Sequence, residues 1–139
     1  MKFARGICAG SFDNFHVGHQ FFLWRAKFLA QKIFVILARD ENIFKFKKKW
    51  PQNSEKKRFS RLQKEFRDEK NVQILLGEKK IDEKKLIEKI APDVIFRGFD
   101  QNFSEKKIRA NFPKIKILQI EKYFPEIFKS SKFREKINF

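Results

Sequence analysis

The sequence predicts an α/β fold, a single domain over residues 1–139 built on one doubly wound sheet of five parallel strands flanked by helices. Three observations carry that prediction. Short apolar runs alternate with helical patterns along the chain, as they do when each strand is followed by a crossover helix. The second and third runs are rich in Val, Ile and Leu, the composition of strands buried on both faces. At 139 residues the chain can build one domain with a real core and is too short for two ordinary ones.

The first strand is expected over residues 6–9, and a helix over 17–31 places Phe22, Ala26 and Leu29 on one stripe with Phe21, Trp24 and Phe28 beside it. The second strand spans 33–38 and leads into a loop that holds Arg39, Asp40 and a lysine-heavy stretch, 45–49. Residues 54–67 read as a helix opened by a capping serine, with Phe59, Leu62 and Phe66 at helical spacing. A third strand, 72–76, precedes a helix over 82–90 that presents Leu86, Ile87 and Ile90 and stops before Pro92. A strand over 94–97, a helix over 104–112 stopped by Pro113, a strand over 115–120 and a helix over 131–138 complete the set. No internal repeat or linker interrupts it. In such sheets ligands bind beyond the carboxyl ends of the strands, which is where every motif below falls.

The formal charge of +16 fits nucleic acid, an anionic membrane surface or a polyphosphate ligand. Lysines are spread along nearly the whole chain, however, and 19 phenylalanines accompany them. A coding bias would produce the same joint excess, so a functional field and a solvated lysine surface both stay open. The lone cysteine, Cys8, excludes an internal disulfide and reads as a small buried hydrophobe. No apolar run approaches the roughly 20 residues needed to span a bilayer, and the N-terminus lacks a signal-peptide core. The expectation is a cytoplasmic protein without a membrane segment.

Both histidines fall in one ten-residue run, Gly10 to His19, between the first strand and the first helix. His16 and His19 lie three apart at the entry of that helix, on one side of its first turn, so both imidazoles can address one phosphate. Gly18 between them removes a side chain that would block backbone approach. Unpaired N–H groups and a partial positive charge at the same end favour an anion. A phosphate site follows from these components alone.

The run reads G-S-F-D-x-x-H-x-G-H, and in this position it resembles the signature of the cytidylyltransferase-like nucleotidyltransferase superfamily. Members of that superfamily move a nucleoside monophosphate from a triphosphate onto a phosphate. The resemblance extends from Phe3 to Ile137, with four motifs in superfamily order. It implies a Rossmann-like fold and a nucleotide held by Gly10, Ser11, Phe12, Asp13 and Gly18, with Asp13 either orienting the histidine loop, the preferred role, or lying near the metal. His16 and His19 would donate hydrogen bonds to the phosphates. In the second motif Lys47 best matches the lysine that lies over the triphosphate, with Lys45 in reserve. Arg58 matches an arginine common in the superfamily, although its neighbours Lys56 and Lys57 suit a surface role equally. The third motif, Arg97, Gly98, Phe99, Asp100 and Gln101, offers close backbone contact at Gly98 and, at Asp100, a carboxylate for a ribose hydroxyl, a base edge or magnesium. Ser130 and Ser131, at the start of the last helix, correspond to a hydroxyl cluster that holds outer phosphates. Lys129 replaces a frequent serine, and Tyr123 to Pro125 fill a stretch where cytidylyltransferases carry an arginine.

The wording A-R-D-E-N and G-F-D-Q looks like the archaeal-type FAD synthases, which transfer AMP to FMN, more than the glycerol-3-phosphate cytidylyltransferases. The implied partners are ATP or CTP, a phosphate-bearing acceptor, and magnesium bridging the triphosphate; no protein metal ligand is assigned. Transfer would be direct and in line, without a covalent enzyme intermediate. Other sugar-phosphate or pantetheine-phosphate acceptors remain open, as does a binding protein that has lost its reaction. A rival from a different class, a basic nucleic-acid-binding module using residues 45–49 and exposed phenylalanines, explains the charge but not the histidines. The aromatic face of the first helix, Phe21, Trp24 and Phe28, makes a homodimer conceivable, with core packing as the competing use.

Overall fold

The computed structural model describes residues 2–98 and 105–120, and within them strands and helices alternate as the apolar pattern requires. The elements are β1 (Phe3–Gly10), α1 (Val17–Leu29), β2 (Ala30–Leu37), α2 (Asp40–Lys47), α3 (Glu55–Glu65), β3 (Val72–Leu76), α4 (Glu83–Ile90), β4 (Val94–Arg97), α5 (Glu105–Asn111) and β5 (Lys116–Gln119). Every strand pair is parallel and the sheet order is β3-β2-β1-β4-β5. This is the doubly wound, Rossmann-like five-stranded sheet that the sequence predicts. No described helix is long and apolar enough to cross a membrane.

Side chains alternate across the sheet and build a core on each face. Cys8, Ile33, Val35, Leu37, Val94 and Phe96 face one way, onto Phe22, Leu23 and Ala26 of α1 and Leu62 of α3. Ile7, Ile36 and Ile95 face the other, onto Ile87 and Ile90 of α4 and Ile108 of α5. Burial pushes the Cys8 thiol pKa up, so the cysteine sits in the core as an inert small side chain.

Gly6 makes the larger core possible. A Cβ there would stand 2.5 Å from the Phe96 ring and 3.3 Å from a Val94 methyl, and the ring is fully buried, with nowhere to move. Gly6→Ala is therefore expected to destabilise the protein by about 2 kcal/mol through overpacking. A urea midpoint unchanged by the substitution would contradict this packing.

Three boundaries differ from expectation. The first helix ends at Leu29 and β2 begins at Ala30, because β1 extends back to Phe3 and pairs with Ala30 across the sheet. That extension is anchored by Asp93, whose carboxylate accepts the N–H groups of Ala4 and Arg5 at 2.9 and 2.8 Å. The expected loop after the second strand contains a helix, α2, with Asp40 and Glu41 in its first turn and Lys45 and Lys47 in its last, the arrangement that suits the helix dipole. The helix expected over 131–138 lies outside the described residues.

The topology also fixes where a ligand can enter. From β1 the chain winds outward through β2 to β3, then crosses to β4 on the other side of β1. The carboxyl ends of β1 and β4 thus border the crevice at which strand order reverses, the usual ligand site of such sheets. The register pairs Cys8 with Phe96, and continuing it brings Gly10 level with Gly98.

Candidate active site

At the carboxyl end of β1 the chain turns through a strained loop. Phe12 and Asn14 both have positive φ, 47° and 50°, a conformation that costs a bulky residue such as Phe of order 1 kcal/mol or more and persists only when its surroundings over-determine it. Burial of the Phe12 ring, edge-on to His19 at 5.6 Å, supplies part of that determination.

Asp13 supplies more. One carboxylate oxygen accepts the backbone N–H of Asn14 and the backbone and side-chain N–H groups of Asn53, and the other accepts the Gln52 N–H at 2.7 Å. Burial by itself would raise the Asp13 pKa; the bonds from Gln52 and Asn53, with the Arg58 charge, outweigh it and hold the carboxyl below the usual range. Asn14 adds side-chain bonds to Gln52 and Asn53. The effect is to tie the histidine loop to the segment that leads into α3.

The two imidazoles cap α1 reciprocally. Gly18 N–H donates to His16 Nδ1 at 3.0 Å, and His16 N–H donates to His19 Nδ1 at 3.2 Å, the capping-box exchange with imidazoles in place of a hydroxyl and a carboxylate. The rings stack with centroids 3.8 Å apart. Because each Nδ1 accepts a backbone N–H, each neutral ring carries its proton on Nε2. Each ring is then left with one N–H donor. Burial first, then repulsion from a proton on the adjoining His16 ring and from Lys47, push the His19 pKa down to about 4 against the opposing Asp13 carboxylate, so that ring stays neutral near pH 7.

Arg58 is the keystone of the surrounding loops. It is 2% exposed, against the surface role that its lysine neighbours suggested. Its guanidinium donates to the carbonyls of Asn53, Ser11 and Ala38 at 3.0, 2.9 and 2.9 Å and pairs with Asp40 at 2.6 Å. These bonds join the ends of β1 and β2 to the starts of α2 and α3. With its donors so engaged, Arg58 holds the loops in place, and it also lines the cleft formed with Asn53, Lys57 and Arg61.

The rest of A-R-D-E-N is similarly structural. Arg39 donates to the Gly77 carbonyl at 2.6 Å and pairs with Glu55, while buried Asn42 donates to the Glu78 carbonyl at 3.0 Å. Asp40 also accepts the Glu55 N–H. Lys45 and Lys47 are both exposed on the last turn of α2, but Lys47 acts electrostatically on His19. That relation separates it from Lys45.

Gly10 ends β1, its carbonyl accepting the Ala38 N–H. Arg97 ends β4 and reaches Gln119, and Gly98 follows it on the β4 side of the crevice. Asp100, Ser130 and Ser131 lie outside the described residues. Phe21 and Trp24, two of the three aromatics that suggested a second copy, are used within the chain: Phe21 is buried, and Trp24 packs on Phe66 and donates to Glu65. Sequence reading missed Gln52, Asn53 and Arg61. Arg61 stands over the Phe15 ring at 4.6 Å and helps line a cleft of about 370 Å³ with Asn14, Asn53 and Lys57. No spacing rule marks such residues, since their partners lie about 40 residues away.

Comparison with known proteins agrees with this arrangement. The family model described as Cytidylyltransferase-like matches residues 7–137. The chain is similar to FAD synthase of Picrophilus torridus, 33% identical with 94% of each chain covered, and to FAD synthase of Aciduliprofundum boonei, 34% identical with 86% of this chain and 79% of that one covered. Among solved structures it resembles the lipopolysaccharide core biosynthesis protein of Thermoplasma volcanium, at 30% identity and a TM-score of 0.73, with 88% of this chain and 99% of that one covered. A bifunctional NMN adenylyltransferase/ADP ribose pyrophosphatase from Francisella tularensis shares the fold, with 16% identity, a TM-score of 0.64 and coverage of 96% and 42%. With a family match over nearly its whole length and the paired imidazoles at the strand-order switch, this chain belongs to the cytidylyltransferase-like family.

Proposed function

We propose that the protein is an FMN adenylyltransferase, transferring AMP from ATP to the phosphate of FMN with release of pyrophosphate. The observation that carries this reading is the stacked His16–His19 pair, preset as two Nε2–H donors in a chain whose full-length relatives include FAD synthases. An FMN phosphate oxygen attacks the α-phosphorus of ATP in line; the bond from that phosphorus to the β-phosphate oxygen breaks, and pyrophosphate departs with the electron pair. The attacking group is already an anion, so no protein base is required. Catalysis comes from positioning and charge stabilisation: the imidazole N–H groups and Gly18 face the phosphates, and Lys47 lowers the repulsion between donor and acceptor. Arg58 and Asp13 act through the loops they hold.

The described residues offer no site for a resident magnesium, and Asp100, the carboxylate that the sequence offered to one, lies outside them. Both Asp13 oxygens already accept N–H donors, and among the described residues no cluster of His, Cys, Asp or Glu could hold a metal ion. Magnesium in this reading belongs with the triphosphate substrate.

The test is to supply ATP or CTP with FMN, glycerol 3-phosphate and a small panel of other phosphate acceptors, and to follow pyrophosphate and FAD. FAD from ATP and FMN is expected. Turnover of CTP with glycerol 3-phosphate, and none with FMN, would transfer the assignment to cytidylyl chemistry. Lys47→Ala should lower kcat/KM by about tenfold or more, whereas Lys45→Ala should have a clearly smaller effect. Equal effects at the two positions would remove the distinction drawn from the His19 field.

A further inference from the structure

Helix α2 and the turn that follows it leave three large aromatic side chains in water beside the candidate site. Phe44, Phe46 and Trp50 are 39%, 77% and 59% exposed, an arrangement that the hydrophobic effect opposes unless something covers it. Their placement is specific. Lys48 caps α2 in the left-handed conformation, φ 59°, with its N–H on the Phe44 carbonyl at 2.8 Å, and this reversal folds Trp50 back so that its ring stacks on Phe44, centroids 4.6 Å apart and 21° from parallel. Two residues on, Gln52 is bonded to Asp13 and Asn14 of the histidine loop, so the stacked pair stands within about 7 Å of chain from residues that shape the phosphate site. Lys45, Lys47, Lys48 and Lys49, its neighbours along the chain, are exposed, and the Lys47 charge acts on His19.

A flat aromatic surface ringed by cations suits one kind of occupant, a planar aromatic ring joined to a phosphate. We infer that Phe44 and Trp50 form the platform on which the isoalloxazine ring of the acceptor stacks, with its phosphate reaching past Lys47 toward the imidazole pair. The inference rests on the FMN adenylyltransferase reading and adds to it the element that selects the acceptor. The charge complementarity is direct: an FMN phosphate is a dianion, and the platform is flanked by four lysines. Stacking gives the ring an orientation that lysines alone, as mobile point charges, cannot.

The experiment compares the intact protein with Trp50→Ala, Trp50→Phe and Phe44→Ala in steady-state FAD synthesis, varying FMN at saturating ATP and then the reverse. Trp50 is exposed and makes no hydrogen bond that α2 needs, so these variants should fold; thermal melting checks this. Trp50→Ala is expected to raise the KM for FMN about tenfold or more, the usual effect of removing a stacking partner, with the KM for ATP changed less than about twofold. Trp50→Phe should recover most of the loss. In parallel, flavin fluorescence should be quenched on adding the wild-type protein, with a Kd that weakens by the same factor in Trp50→Ala. A raised KM for ATP instead would make the platform an adenine site and overturn the inference. An unchanged FMN KM in a wild type that does make FAD would overturn it alone, leaving the proposed activity intact. A wild type that makes no FAD would remove both. Loss of oligonucleotide binding in Trp50→Ala, with FMN kinetics untouched, would also overturn it and assign the patch to nucleic acid.

Discussion

His19→Asn is expected to lower kcat by about a hundredfold or more while leaving the melting temperature almost unchanged, an effect comparable to losing one donor aimed at developing charge. Asparagine is the informative replacement because its amide oxygen can take the place of Nδ1 and accept the His16 N–H, preserving the cap while removing Nε2. His19→Ala should show the same kinetic loss and, in addition, about 1 kcal/mol of destabilisation from the broken cap. Near-normal turnover in either folded variant would remove the imidazole pair from the mechanism. The same ring predicts a pH response. With its folded pKa pushed down to about 4 and an unfolded value near 6.5, the unfolded chain takes up the proton first as pH falls. The stability present above about pH 6.5 is therefore lost progressively toward pH 4, while His19 stays neutral and its N–H donor stays intact between pH 6 and 8. Urea midpoints at pH 7 and pH 5 should differ less in His19→Asn than in the wild type.

Arg58→Met is expected to cost about 3 kcal/mol, a fall of roughly 10 °C in Tm. Methionine keeps much of the buried volume but leaves the carbonyls of Ser11, Ala38 and Asn53 without their guanidinium donor and Asp40 without its cation. The penalty sits at the low end for a broken buried pair, because Asp40 is partly exposed and retains the Glu55 N–H. Arg58→Lys should recover the Asp40 contact and little else, since an ammonium cannot fork toward three carbonyls. The control is Arg61→Met, whose partners are Glu65 one turn away on the same helix and the Phe15 ring; it should lower stability by less than about 1 kcal/mol. Thermal and urea denaturation of the three variants decide the matter, and a wild-type midpoint in Arg58→Met would mean that the loops are held by other contacts.

Sheet class and strand identity were legible in the residues because Val, Ile and Leu in 33–37 have no plausible alternative to burial; the equally apolar run 72–76 also forms a strand, but as β3 at the sheet edge it is half-buried, not covered on both faces as its composition suggested. The histidine loop was legible because its chemistry is carried by residue type and close spacing. Helix α2 was not, since the lysines that fill 45–49 read as a solvated loop; the helix shows itself in the acids at 40 and 41 and the left-handed cap at Lys48, which only the backbone reveals. Arg58 was ambiguous for a similar reason. Among lysines an arginine looks like surface, and its burial depends on carbonyl acceptors from loops 20 and 47 residues away. Such long-range polar closure leaves no periodic trace in a sequence.

Leu29 ends α1 and Ala30 begins β2 with no residue between them, and the joint behaves as a stiff elbow. A rocking motion of the helix cannot be absorbed by slack chain; it must be shared by a strand clamped between β3 and β1. The imidazoles at the opposite end of that helix therefore keep their aim because the lever on which they ride has no play at its pivot.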